Sequence, residues 1–112
     1  MEKLYKKNCI VCDKNTLPFD TSEIHKHLKR IDGWEVKNIS KKNFFIEKKF
    51  KFKNFKQSCE FINKVGSISE LEGHHPDICF GWGYAKIKIF THSIKGLTES
   101  DFVLAAKFDQ IG

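Results

Sequence analysis

Between Glu70 and His92 the chain reads ELEGHHPDICFGWGYAKIKIFTH, which gathers three imidazoles and a carboxylate into one short stretch. An imidazole with an ordinary pKa near ~6.5 both takes and gives a proton at neutral pH. Two of them around one hollow suit a reaction that removes one proton and delivers another. Elimination of water is such a reaction: a base takes an N–H proton, an acid protonates the leaving hydroxyl, and a carboxylate orients the polar substrate. No nucleophile is needed. His74, His75 and His92 are therefore the candidate catalytic residues, with Glu70 as the candidate carboxylate.

These groups can act together only if the fold brings them to one place. Glu70 falls in the last turn of a helix predicted from about Asn54 to Glu72, which Gly73 ends. A carboxylate there faces the negative end of the helix dipole, a placement against local preference that hints at another task. His74 leaves the helix just past Gly73, and Pro76 holds His75 extended. Residues 78–80 and 85–91 alternate as strands, with Trp82-Gly83 as the tight turn between them. The second of these strands returns to the level where His74 and His75 enter, so His92 converges on them.

The remaining elements follow from periodicity. Asp20, Thr21 and Ser22 are N-cap candidates for a helix to about Ile31, with Gly33 beyond it. Trp34-Glu35-Val36 starts a strand, and Asn38-Ile39-Ser40 supplies a turn. Phe44, Ile46, Phe50 and Phe52 share one parity, opposite Phe45, Glu47, Lys49 and Lys51. Phe55, Cys59, Ile62, Val65, Gly66 and Ser69 are the expected inner stripe of the second helix, and Ala85, Ile87 and Ile89 the inward side of the last strand. A third helix, from about Glu99 to Phe108, should bury Phe102, Ala105, Ala106 and Ile111. The expected fold is α+β, a four-stranded antiparallel sheet with three helices on one face in the order α-β-β-α-β-β-α. Residues 1–112 form one expected domain, in which 1–19 are an irregular extension.

Bulk composition narrows the function classes. The 112 residues and 40% hydrophobic content suit one core, rich in its 11 phenylalanines. No window has the apolar length of a membrane span, and the lysines near the N-terminus lack the apolar run of a secretory signal. The expected setting is cytoplasmic, the nucleus being the other compartment allowed, and disulfides are not expected there. Cys59 and Cys79 read as small core residues, and His25 and His27 as surface ones. The net charge of +6 comes from dispersed lysines, densest at Lys41, Lys42, Lys48, Lys49, Lys51, Lys53 and Lys56, with one arginine, Arg30. That pattern fits a solvated face blunting a sheet edge better than a surface that reads nucleic acid. Two metal-like patterns compete. Glu70 with three histidines could mimic a 2-His-1-carboxylate site, but adjacent histidines in extended chain point apart. Cys9-x2-Cys12-x12-His25-x-His27 begins with zinc-finger spacing and ends with one that is too short.

The spacing Glu70, His74-His75-Pro76, Trp82, His92, Asp101 resembles the signature of the pterin-4a-carbinolamine dehydratase family. Gly33-Trp34, Phe50-Lys51-Phe52-Lys53-Asn54-Phe55 and Gly96-Leu97-Thr98-Glu99-Ser100-Asp101 extend the resemblance. Cys9-x2-Cys12 and Leu17-Pro18 are similar to the N-terminal extension of many members. The resemblance implies a hydro-lyase that converts 4a-hydroxytetrahydropterin to quinonoid dihydropterin, recycling tetrahydropterin, with no metal or cofactor. By position it implies His74 and His92 as the acid/base pair, and His75, Glu70, Trp34 and Thr91 as contacts to the pterin. For Asp101 a helix-capping role is expected, and for Trp82 a role in the turn. It also implies a homodimer or homotetramer, and an alternative role as a coactivator that stabilises a dimeric transcription factor, without membrane or direct nucleic-acid binding. Two positions depart from familiar animal members: Ile78 replaces an aromatic residue, and Phe90 replaces a small hydroxyl residue two before His92. Both bear on the pterin side chain rather than on the chemistry.

Overall fold

The computed structural model describes residues 3–10, 15–38 and 43–111. The elements are a single 3-10 turn (Leu4–Lys6), α1 (Thr21–Leu28), β1 (Glu35–Asn38), β2 (Phe44–Lys51), α2 (Phe55–Glu72), β3 (Asp77–Gly81), β4 (Tyr84–Ile89) and α3 (Glu99–Asp109). The strands form one antiparallel sheet in the order β1-β2-β4-β3. This is the expected α+β arrangement of three helices and four strands. Cys12, Lys41, Lys42 and the Ile39-Ser40 part of the expected first turn lie outside the described residues.

Strand parity decides which face is covered. Ile46 on β2 and Ala85, Ile87 and Ile89 on β4 are fully buried, while Lys49, Lys51 and Lys86 are exposed. The β2–β4 register sets Ile46 opposite Ile89 and Phe50 opposite Ala85, so the apolar residues share one side. Caps then fix the helix ends. The Asp20 side chain accepts from the Glu23 N–H at 2.9 Å, and the Asn54 side chain accepts from the Gln57 N–H at 2.9 Å. Gly73 closes α2 in the left-handed conformation, φ +66°.

Three local expectations are corrected. The inner stripe of α2 is Ser58, Phe61, Val65 and Ser69. Val65 and Ser69 are as expected, while Ser58 and Phe61 are buried in place of Cys59 and Ile62, and Phe55 turns outward and stacks on Phe80 of β3, with ring centroids 6.0 Å apart. His27 is buried, not on the surface. It bonds through Nδ1 to the Glu23 carbonyl at 2.9 Å and packs between Phe19 and Phe102. Cys59 is half-buried and Cys79 exposed, so neither is a true core residue.

Residues 3–10 of the N-terminal segment pack on α3. α3 is apolar on nearly every side, with Phe102, Val103, Leu104, Ala105, Ala106 and Phe108 all buried, and Ile111 is half-buried beyond its end. A helix of that kind needs cover all round. Residues 3–10 supply it: Leu4 is buried against α3, Lys107 Nζ donates to the Tyr5 carbonyl at 2.9 Å, and Ser100 Oγ bonds both the N–H and the carbonyl of Ile10. Among the described residues, no helix is long and apolar enough to cross a membrane.

Candidate active site

The site lies where the C-terminal end of α2, the end of β4 and the start of α3 come together. After Gly73 turns the chain, the His74 N–H bonds back to the Ser69 carbonyl at 3.2 Å, which fixes where the ring leaves the helix. His74 Nε2 then meets Asp101 Oδ1 at 2.7 Å. Asp101 is completely buried, and its other oxygen accepts from Thr91 Oγ1 at 2.8 Å and from the Thr98 N–H at 2.8 Å. One carboxylate thus ties the exits of α2 and β4 to the first turn of α3.

That arrangement also sets the tautomer of His74. A carboxylate oxygen accepts, so the Nε2–H tautomer is the one that fits this contact, and Nδ1 takes no part in it. A ring held in this way is oriented for proton transfer before substrate arrives. Beside it is a hollow of about 380 Å³ whose walls include Glu72, His74, His75, Thr91, His92 and Ile10. All three candidate catalytic histidines therefore border one cavity. Among the described residues, no buried side-chain nitrogen or oxygen lacks a hydrogen-bond partner.

The other candidates divide. Thr91 lines the hollow, but its hydroxyl is engaged by Asp101. Glu70 is exposed and not a wall of the hollow; its carboxylate pairs with His75 Nε2 at the rim. Trp34 does not reach the site. It is buried, its indole N–H donates to both oxygens of Asp109 at 3.0 and 3.2 Å, and its ring packs edge-on against Phe50. Asp101 and Asp109 sit eight residues apart on α3, a separation of about 12 Å at 1.5 Å per residue, so Trp34 serves the opposite end of that helix. Trp82 is 71% exposed in the β3–β4 turn, as a turn residue should be. Among the described residues, no three His, Cys, Asp or Glu side chains gather as a metal-binding group.

The chain matches the family model described as pterin 4 alpha carbinolamine dehydratase over residues 17–111. The chain belongs to the pterin-4a-carbinolamine dehydratase family. It is 43% identical over 111 residues to a protein of Rubrobacter xylanophilus named "Putative pterin-4-alpha-carbinolamine dehydratase", covering 99% of this chain and 100% of that one. A protein of the same name from Alkaliphilus metalliredigens is 44% identical, covering 98% and 96%. Among solved structures, a transcriptional coactivator/pterin dehydratase from Brucella melitensis superposes with a TM-score of 0.74 at 28% identity, covering 83% of this chain and 96% of that one. A pterin dehydratase-like RuBisCO assembly factor of the alpha-carboxysome superposes at 0.59 and 28%, covering 69% and 86%.

Asp101, Ile10 and Glu72 contribute to this dehydratase-family site and were missed in the sequence, which offered Glu70 as the carboxylate in place of Glu72. Asp101 reads as a first-turn carboxylate at the third helical position after Thr98, a helix-start signal. It has that role through one oxygen, and the other oxygen holds His74. The spacing alone signals the cap but not the second partner. Ile10 lies in a segment without periodicity, so nothing in the sequence places it at the cavity. It is held there by Ser100, and by the neighbouring Cys9 N–H, which donates to Glu72 Oε1 at 2.8 Å. Burial, and then the Glu72 carboxylate beside it, push the Cys9 thiol up to about 12.

Proposed function

We propose that this chain dehydrates a 4a-hydroxytetrahydropterin to the quinonoid dihydropterin and water. The observation that carries the proposal is the shared cavity of His74, His75 and His92, with His74 locked to the buried Asp101. In the reaction the N5–H proton leaves, a C4a=N5 double bond forms, and the C4a–O bond breaks. The departing oxygen takes a proton and leaves as water. His74, with its lone pair on Nδ1, receives the N5 proton. His92, which borders the same cavity, supplies the proton to the hydroxyl, and solvent resets both rings. His75, anchored by Glu70 at the rim, contacts the polar edge of the pterin. The product is then available for reduction to tetrahydropterin.

The test is a stopped-flow assay of 4a-hydroxytetrahydropterin decay. Wild type should accelerate the decay well above the spontaneous rate, and His74→Ala should lose about a hundredfold or more of that acceleration. Decay at the spontaneous rate with folded wild-type protein would refute the proposal.

The exposed side of β3 favours an additional role in self-association. β3 is an outer strand of the sheet, with one edge unpaired, and it presents Ile78, Phe80 and Trp82, joined by Phe55. An outer strand this apolar is a template for pairing with another chain. We infer a homodimer or higher oligomer joined at this edge, which Phe80→Lys should dissociate in sedimentation equilibrium. An unchanged mass would exclude this edge as the interface.

A further inference from the structure

Beside the histidine hollow is a second cavity, of about 350 Å³, bordered by Asn43, Phe44, Phe45, Phe90, His92 and Lys95. The two cavities share one wall residue, His92. Its character differs. Where the first hollow is lined by imidazoles, a carboxylate and a hydroxyl, three of this one's six lining residues are phenylalanines. The Phe90 ring stacks on His92, with centroids 4.3 Å apart and planes 25° apart. Lys95 is the lysine among the lining residues; Lys88 Nζ lies 4.2 Å from the Phe45 ring centroid and 5.8 Å from that of Phe90 but does not border the cavity. Lys95 adopts a left-handed backbone, φ +50°, in the turn that pairs Thr91 with Gly96.

Resting on the dehydratase proposal, we propose that this cavity receives the substituent at C6 of the pterin ring, and that it selects an aryl substituent ending in a carboxylate. A pterin seated against His92 carries C6 next to the reacting N5, so its substituent leaves the ring close to the wall the two cavities share. Phenylalanine side chains accept an aromatic ring, and Lys95 at the cavity complements an anionic end. A methyl group would leave the cavity unfilled, and a polyol chain would leave hydroxyls against phenylalanine without partners.

The experiment compares pterins that differ only at C6: methyl, dihydroxypropyl, and (p-aminobenzoyl)glutamate attached through a methylene. Dissociation constants for their stable 7,8-dihydro forms are measured by titration calorimetry, and kcat/KM for their 4a-hydroxytetrahydro forms by stopped flow. The arylcarboxylate pterin should bind about tenfold or more tighter than the methyl one, the increment of one stacked ring. Phe45→Ala should abolish that preference and leave the affinity for the methyl pterin within about twofold, since Phe45 does not border the histidine hollow. Lys95→Gln should weaken only the carboxylate-bearing ligand, which keeps the inference testable if Phe45→Ala does not fold. Equal wild-type affinity for all three ligands would overturn it, as would Phe45→Ala or Lys95→Gln weakening all three alike. If the binding preference holds but no pterin is turned over, the dehydratase proposal fails while the subsite stands. If turnover occurs without preference, the subsite alone fails.

Discussion

Replacing Asp101 by Asn changes few atoms and tests why His74 is held as it is. The carboxylate accepts from three groups: the His74 ring, the Thr91 hydroxyl and the Thr98 N–H. The Thr98 N–H sits in the first turn of α3 and can only donate, so the amide oxygen of Asn must stay with it. That turns the amide NH2 toward His74. Two donors cannot face each other, so the ring changes tautomer, accepting at Nε2 and carrying hydrogen on Nδ1. The lone pair facing substrate is lost, which should cost about 10²–10⁴ in kcat/KM, the span of a general base contribution. Stability should fall by roughly 1.5–3 kcal/mol, since one hydrogen bond to a charged group is weakened while the other two persist. Nitrogen-15 shifts of the His74 imidazole report the tautomer directly, alongside stopped-flow kinetics and denaturant unfolding. A folded Asp101→Asn protein that keeps the Nε2–H tautomer, or keeps kcat/KM within about threefold, would refute the reasoning.

Four further outcomes follow from the N-terminal segment and its contact with α3. The Cys9 thiol, pushed up to about 12 from an ordinary value of 9.0, holds its proton more tightly in the folded state than in the unfolded one. Its contribution to stability is therefore complete below pH ~9 and is lost as pH rises toward about 12, so Cys9→Ala should flatten the alkaline decline in denaturant unfolding. At pH 8, alkylation of folded protein followed by peptide mapping should label the exposed Cys79 well before Cys9, and equal labelling would contradict the burial argument. Leu4→Ala should destabilise by about 2–5 kcal/mol, the range for a buried leucine in a core. Ser100→Ala, which releases Ile10 from the cavity wall, should raise KM more than it lowers kcat; unchanged kinetics would show that the strap leaves the site unaffected.

Much of the fold was legible because its signals are local. Period-two alternation at Phe44–Phe52 and Ala85–Ile89 fixes the covered face, and Asp20, Asn54 and Gly73 mark helix ends by their own chemistry. The convergence of His74 with His92 followed from two reversals, at Gly73 and at Trp82-Gly83. What was not legible depends on long-range partners. α2 carries apolar residues on two adjacent stripes, and only the presence of Phe80 on β3 decides that Phe55 turns outward while Phe61 packs in. Trp34 looks like a pocket residue by resemblance, yet Asp109 and Phe50 hold its ring in the core. Asp101 satisfies a helix start so well that its second partner stays hidden until α2 and α3 are placed together. Ile10 belongs to a segment held by long-range partners, Ser100 on α3 and Glu72 on α2.

We propose that His74 and His92 act on one substrate as a single acid/base unit across a common cavity. The direct measurement is a double-mutant cycle in the decay of 4a-hydroxytetrahydropterin with His74→Ala, His92→Ala and the double variant. The expected result is that each single variant loses about a hundredfold or more, and that the double variant is scarcely worse than either, because removing one member already disables the pair. Losses that simply multiply, or a single variant that keeps wild-type rate, would contradict it.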